Sequence, residues 1–410
     1  MVAGSSTKDA DVVVVGGGLA GAASAIGLRR AGARVIVVDK ADFPRDKPCG
    51  EGLLPHGVEL LGHLGCGDVV DACGGQPFRG ILYHCHGVVA RGDFENDGRG
   101  RGVRRRHLDT AIRDRARVAG ADLVTGAVAG IVVDAAGATV TLSDGTSLRS
   151  AVVVGADGPR STTRHALGLD GGAPRSPRYA LRQHFRLAPG VALPERVEVH
   201  VGEHHELYVT PVEASGDGNV VGVAALCEKR LMSAGDGKPA ARLSSLIAAC
   251  APLRERLAGA EPVGPAMACG PLRVKSTAVW RGRGVLVGDA AGYVDAITGE
   301  GMSLALKTAA LATTAITRVL AGDDVDAAFA GYARGRAGVF RDHAILTFGL
   351  VELARRPFFA KRVIARLARD PALFSRLLAV NNGTTPLVRF GVGNLLKLAV
   401  GATPRPALHG

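Results

Sequence analysis

Asp11-Val12-Val13-Val14-Val15 is an unbroken β-branched run, the pattern of a parallel strand buried on both faces. It breaks at Gly16-Gly17-Gly18, and an Ala-rich stretch from Ala22 to Ala31 reads as a helix ended by Gly32. Arg34 to Val38 then reads as a second strand, closing on Asp39. Two more short apolar strands recur far downstream, Val152–Val154 and Gly284–Val287, each stopping at a Gly/Asp turn. Between them the period changes. Arg182–Leu187, Val197–Val201, Glu206–Pro211 and Val220–Leu226 alternate as half-exposed antiparallel strands do. A long Ala/Leu helix is predicted to run to about Leu320, and the stretch 323–400 reads as helical. There Phe359, Val363 and Leu367 are expected on one face and Arg362, Arg366 and Arg369 on another. The expected class is α/β, with a mostly antiparallel sheet inserted and a helical C-terminal region. No run of 18 apolar residues occurs, so no membrane-spanning helix is expected.

Composition adds limits. The 410 residues are 47% hydrophobic and 21% charged, which excludes a disordered chain, and the 57 glycines follow no G-X-Y period. The net charge of +12 favours an anionic partner: a phosphorylated cofactor, an acidic lipid face or nucleic acid. Seven cysteines without a C-x-x-C suit a reduced, cytoplasmic protein. The N-terminus carries no secretory signal pattern.

The chemistry gathers at the strand ends. Gly16, Gly18 and Gly21, with Leu19 and Ala20 between, form a G-x-G-x-x-G that follows a strand and opens a helix. Gly16 permits the tight turn, Gly18 lets backbone approach a pyrophosphate, and Gly21 lets helix and strand pack closely. Asp39 lies where a carboxylate accepts from a ribose hydroxyl. No second fingerprint exists: Gly282-Arg283-Gly284 lacks the third glycine, and Gly235-Asp236-Gly237-Lys238-Pro239 lacks the P-loop spacing and hydroxyl. One permanent dinucleotide is therefore expected. His84-Cys85-His86 would put both imidazoles on one strand face, but no partner cluster at ligand spacing follows, and no metal is expected. The Arg104-Arg105-Arg106 run has no interleaved aromatics, so nucleic acid is not an expected partner.

With Gly155-Ala156-Asp157-Gly158-Pro159-Arg160 and Gly288-Asp289-Ala290-Ala291-Gly292 through Thr298-Gly299-Glu300-Gly301-Met302, the chain resembles the FAD-dependent oxidoreductases of the p-hydroxybenzoate hydroxylase fold. That superfamily includes group A flavin monooxygenases, halogenases and geranylgeranyl reductases. The resemblance implies a Rossmann-type FAD domain in pieces (1–80, 100–175 and 270–325). A β-sheet substrate domain (80–100 with 176–269) and a helical region (326–410) would complete the chain. It implies FAD along the first motif and beside Asp39 and Lys40, with Asp157 and Gly158 near the cofactor. Asp289 would bind the ribitol, and Gly299, Gly301 and Met302 would lie against the ring. Arg105, in an R-x-x-L-D element, would contact the pyrophosphate, and Val128 the adenine side. Arg45, in the loop from Phe43 to Gly52, suits a diphosphate because guanidinium is a planar multi-donor cation.

The family's sheet walls the substrate, so Gln183, His184 and Tyr208 are candidates to face it, and in the reductases of the family the Cys49 thiol would be a candidate to gate or protonate. The leading expectation is an NAD(P)H-dependent monooxygenase that hydroxylates or epoxidises a hydrophobic or aromatic small molecule through a flavin C4a-hydroperoxide. NAD(P)H would dock only transiently. Two features depart from the hydroxylases: Gly292 stands where many carry His, and Asp295-Ala296 lacks the Pro. The halogenase W-x-W-x-I-P is missing, since Leu207-Tyr208-Val209-Thr210-Pro211 stands there. Lys47-Pro48-Cys49-Gly50 looks more like the geranylgeranyl reductases, which saturate isoprenoid double bonds, so that reaction is the alternative. A non-catalytic flavin-binding module is the alternative of another class. The basic C-terminal helices leave peripheral membrane contact open.

Overall fold

The computed structural model describes residues 9–172, 178–214, 216, 218–232 and 237–400. The outer ends of the sequence-based domain divisions, 1–8 and 401–410, lie outside them, as do 173–175 of the FAD piece and Gly235-Asp236. The first strand, Val12–Val15, is central in a six-stranded sheet. Val35–Asp39 and Asp122–Thr125 lie on one side of it; Val152–Gly155, Gly284–Leu286 and Trp280–Arg281 lie on the other. All pairings are parallel except the last.

The four valines of the first strand serve two faces. Val12 and Val14 pack with the helices Leu19–Arg30, Arg105–Val118 and Gly301–Leu320. Val13 and Val15 pack on a three-stranded meander, Val128–Val133, Ala138–Leu142 and Ser147–Ser150. Burial on both sides is why the run shows no alternation.

The second sheet has seven strands in the order Glu261–Cys269, Arg178–Arg186, Val220–Glu228, His205–Glu213, Val197–Val201, Gly80–Cys85, Val88–Asp93. Only the Val197–Val201 and Gly80–Cys85 pair is parallel. Its alternating positions split as the period-2 pattern requires. Leu207, Val209 and Val223 pack under the helices Pro239–Ala249 and Ala251–Arg256. Ile81, Tyr83 and Val199 face the C-terminal helices.

Those helices are Val325–Ala354, Pro357–Arg369, Pro371–Asn381, Leu387–Phe390 and Val392–Val400. Pro357 and Pro371 punctuate them, because proline starts a helix but cannot continue one. Among the described residues no helix is long and apolar enough to cross a membrane.

Two local expectations need correction. The buried stripe of Pro357–Arg369 is Ala360, Ile364 and Leu367, whereas Phe359 is 54% exposed. Four-residue steps drift against 3.6 residues per turn, so Phe359 and Leu367 stand roughly 80° apart. His84 and His86 also do not share a strand face. The strand ends at Cys85, and His86 sits in the following turn with φ +48°. His84 instead stacks on His200 across the parallel pair, ring centroids 4.5 Å apart. Arg256 holds the neighbouring Glu198 carboxylate at 2.9 Å.

Gly21 is locked by backbone: a Cβ there would lie 1.8 Å from the Gly16 carbonyl oxygen. Gly21→Ala should cost about 3 kcal/mol through overpacking. The apoprotein's thermal midpoint, followed by circular dichroism, should fall by several degrees; an unchanged midpoint would contradict the close approach.

Candidate active site

The C-terminal ends of the parallel strands open onto one large cavity of about 810 Å³. One end is polar. Gly16 turns with φ +103°, and a Cβ there would meet the Ala156 carbonyl at 2.5 Å, so only glycine fits. Gly18 precedes the Leu19–Arg30 helix, and among the described residues no side chain caps that helix's first turn. Its open amides therefore border the cavity with the positive end of the helix dipole. Asp39 accepts from the Gly17 amide at 2.7 Å and the Ala41 amide at 2.9 Å, which aims its carboxylate along this end. The Arg45 guanidinium lies 3.6 Å from it. Lys47 Nζ lies 3.3 Å from the Asp289 carboxylate on the opposite wall. An uncapped helix start, flanking guanidinium and ammonium groups and a glycine turn that tolerates no Cβ fit a diphosphate, so these residues could hold FAD.

The loop from Phe43 to Gly52 is held by a buried network. Arg182, 1% exposed, donates to the Asp46 carboxylate at 2.5 Å and to the Lys47 carbonyl at 3.0 Å. Burial pushes the Asp46 carboxyl up, but Arg182 outweighs it and holds it below its usual range. Arg182 Nη1 also lies 3.0 Å from His184 Nδ1. Arginine only donates, so Nδ1 accepts and His184 Nε2–H donates to Glu51 Oε2 at 2.6 Å. The other Glu51 oxygen accepts the Arg105 amide at 2.9 Å, capping the start of the Arg105–Val118 helix. One buried carboxylate thus joins the loop, the helix and the second sheet.

The far end is apolar. Tyr83, Val199, Leu350, Ile364 and Phe374 line it between the seven-stranded sheet and the C-terminal helices. One polar cluster is set in its wall. Arg178 pairs with Glu206, and with Asp295 at 3.1 Å, and all three are buried. A single guanidinium balances one carboxylate, not two. Burial, opposed by Arg178, pushes the Glu206 carboxyl up to about 7. Burial likewise raises Asp295. Tyr83 and Tyr208 stand beside Glu206, and burial pushes the Tyr83 hydroxyl up to about 12.

Of the residues expected at the cofactor, all but Gly21 border the cavity: Gly16, Gly18, Leu19, Ala20, Asp39, Lys40, Arg45, Arg105, Val128, Asp157, Gly158, Asp289, Gly299, Gly301 and Met302. Two spend their side chains locally. Arg105 is bidentate to Asp109 at 2.8 and 2.9 Å, and the Asp157 carboxylate accepts from Ser161 and Thr163 at the start of a short helix. Cys49 and Tyr208 border the cavity, and the Tyr208 hydroxyl donates to the Ile297 carbonyl at 3.4 Å.

Gln183 and His184 do not border it, which corrects their expected place facing substrate. Strand alternation turns Gln183 to the sheet face opposite Arg182, where it is buried and its amide donates to the Gly264 carbonyl at 3.1 Å; His184 is spent on Glu51 and Arg182. The reading of isolated motifs missed Asp46, Lys47, Glu51, Arg178, Arg182 and Glu206. Their ion-pair partners lie 28 or more residues away in the chain, beyond any local spacing. Three of them do stand in the loop that was singled out.

Glu206 gives a pH test. Its folded carboxyl keeps a proton that the unfolded chain loses near pH 4.5, so its contribution to stability is lost as pH rises from about 4.5 to 7. The thermal midpoint of the native chain should therefore fall relative to Glu206→Gln between pH 5 and 7. A constant difference would contradict the raised carboxyl.

The chain matches the family described as an FAD binding domain over residues 9–344. It is 33% identical over 337 residues to a menaquinone reductase of Mycolicibacterium smegmatis, covering 75% of this chain and 76% of that one. It is 28% identical to a digeranylgeranylglycerophospholipid reductase 2 of Methanothermobacter thermautotrophicus, covering 78% and 80%. In fold it is similar to the flavin-dependent brominase Bmp2, with a TM-score of 0.81 at 21% identity, covering 95% and 97%. On its motif order, its cavity and this match over most of its length, the chain belongs to the FAD binding domain family and is an enzyme of the FAD-dependent oxidoreductase and monooxygenase class.

Proposed function

We propose that the chain reduces a carbon–carbon double bond in the isoprenoid chain of a lipid, with FAD as cofactor and NAD(P)H as transient reductant. The observation that carries this reading is the form of the cavity: its polar end continues into an apolar chamber bounded by Tyr83, Val199, Ile364 and Phe374. A prenyl chain has no polar group to satisfy, and such a chamber removes its surface from water. The reductases similar to this chain by sequence act, by name, on a menaquinone and a digeranylgeranyl phospholipid, and each match spans three quarters of the chain or more.

The second reading is a monooxygenase acting on a hydrophobic or aromatic small molecule, which the motifs alone put first. A rifampicin monooxygenase and a ubiquinone hydroxylase favour it, over 39% and 41% of the chain. The order of the two readings therefore reverses. Both take the chain as an enzyme; a non-catalytic flavin module would bind FAD yet never be reduced by NAD(P)H.

Bound FAD, once reduced, supplies a hydride. Saturating one double bond takes that hydride on one carbon and a proton on the other. The protein's part is position, exclusion of water and the proton. The first-turn amides after Gly18, with Arg45, would hold the diphosphate, and Asp39 the ribose. Lys47 and Asp289 would position the ribitol side. Asn381 donates to the Thr298 carbonyl at 2.9 Å, and His343 pairs with Glu300 at 2.7 Å. These bonds tie the loop before Gly301, where the ring would lie, to the C-terminal helices that bound the chamber. Glu206 keeps a proton near neutral pH, beside Tyr208 and at the chamber wall. Cys49 stands in the loop on the cofactor side, where the Glu51 amide donates to its sulfur at 3.3 Å.

Product mass decides between the readings. Incubation with NADPH and a fully unsaturated menaquinone or a geranylgeranyl lipid should add two hydrogens; a gain of one oxygen would contradict the reductase reading. Cys49→Ala should lower kcat at least tenfold with flavin content unchanged. Full activity in that variant would remove Cys49 from the site.

A further inference from the structure

One helix that walls the apolar chamber, Pro357–Arg369, and the last two described helices, Leu387–Phe390 and Val392–Val400, carry an unusual surface. Among the described residues, seven of the twelve exposed large apolar side chains fall between residues 358 and 400: Phe358, Phe359, Val388, Val392, Leu395, Leu396 and Val400. Phe358 and Phe359 are neighbours at the start of Pro357–Arg369 and pack edge to face at 5.5 Å. The Val392–Val400 helix lies against that helix, and Arg362 joins them by donating to the Val400 carbonyl at 3.1 Å. The two apolar groups thus stand on adjoining helices.

That surface is set in a strongly basic segment. From residue 357 to residue 400 the chain has seven lysines and arginines against one acid, Asp370, while Arg355 and Arg356 just before it pair with Glu352. Asp370 is already engaged, by Arg366 at 3.3 Å and by the Leu373 amide at 3.0 Å. Arg389 and Lys397 are exposed among the apolar residues. An exposed apolar patch of this size needs an occupant. A folded protein partner would meet a nearly unbalanced positive field, whereas an anionic bilayer supplies both an apolar interior and negative headgroups.

We infer that this face docks on the surface of an anionic membrane: Phe358, Phe359 and the Val392–Val400 helix enter the interface, and Arg389, Lys397 and their basic neighbours meet acidic headgroups. Exposure and charge alone favour this docking. Its consequence for the enzyme rests on the proposed lipid reaction. On its inner side the Pro357–Arg369 helix presents Ala360, Val363, Ile364 and Leu367 to the cavity. Docking would set the chamber wall against the phase in which a prenyl lipid resides.

The test is sedimentation of the full, flavin-loaded chain with vesicles of phosphatidylcholine alone or with 30 mol% phosphatidylglycerol. The native chain should partition at least tenfold more strongly onto the anionic vesicles, and added salt should weaken the binding. The exposed-site variants Phe358→Ser with Phe359→Ser, and Arg389→Glu with Lys397→Glu, should each lower that partition about tenfold at unchanged flavin content. Equal, negligible binding of the native chain to both vesicle types would overturn the inference. So would a solution dimer that the phenylalanine variant splits, since a second copy would then cover the face. Turnover of detergent-dispersed lipid separates the two proposals. Turnover without vesicle binding sinks the docking alone, and vesicle binding without turnover sinks the reaction alone.

Discussion

The structure depends on a close approach of backbone to backbone. The carbonyl of Gly16 occupies the place a Cβ of residue 21 would take, so the first strand and its helix meet with nothing between them. This contact sets where the helix begins. The helix start in turn sets where four amides without intrahelical partners point. With Val152–Gly155 on one flank and Val35–Asp39 on the other, those amides open between two strand ends, one bringing Asp157 and the other Asp39. A dinucleotide crevice follows from packing before any ligand is considered.

Around that crevice the polar interior is wired across long sequence distances. Glu51 caps the Arg105–Val118 helix and accepts from His184 of the second sheet; Asp46 and Lys47, on the same loop, are held by Arg182 of the same strand. A buried carboxylate is tolerable because every partner is supplied. The loop that carries Cys49 is therefore held rigidly between the two sheets. At the opposite wall the balance is left incomplete. Arg178 faces both Glu206 and Asp295, and the cluster keeps a proton near neutrality.

Most of the fold was legible in the chain. The Val12–Val15 run, the glycines after it and Asp39 share one local period and one spacing, and local signals of that kind survive folding intact. The alternation of 178–226 likewise foretold the antiparallel sheet. What failed was orientation. Gln183 and His184 are adjacent on a strand, so they could not both face one site, and which faces which depends on Glu51, 133 residues away from His184. Phe359 groups with Leu367 in the sequence because a four-residue step resembles a helical turn over short distances. Arg105 borders the cavity as expected, and Asp109, one turn along, takes two of its donors, which its local motif does not reveal. The Arg178 cluster left no local mark, since its members come from three separate segments.

The account's central claim is that segments around residues 16, 157 and 289 fold into a single cradle for one FAD. The most direct measurement is the flavin content of the purified full chain, by absorbance after release, with FAD titration of any apoprotein by fluorescence quenching. One FAD per chain, taken up by the apoprotein and lost on unfolding, is the predicted result. A folded chain that stays colourless and leaves FAD fluorescence unquenched would contradict it.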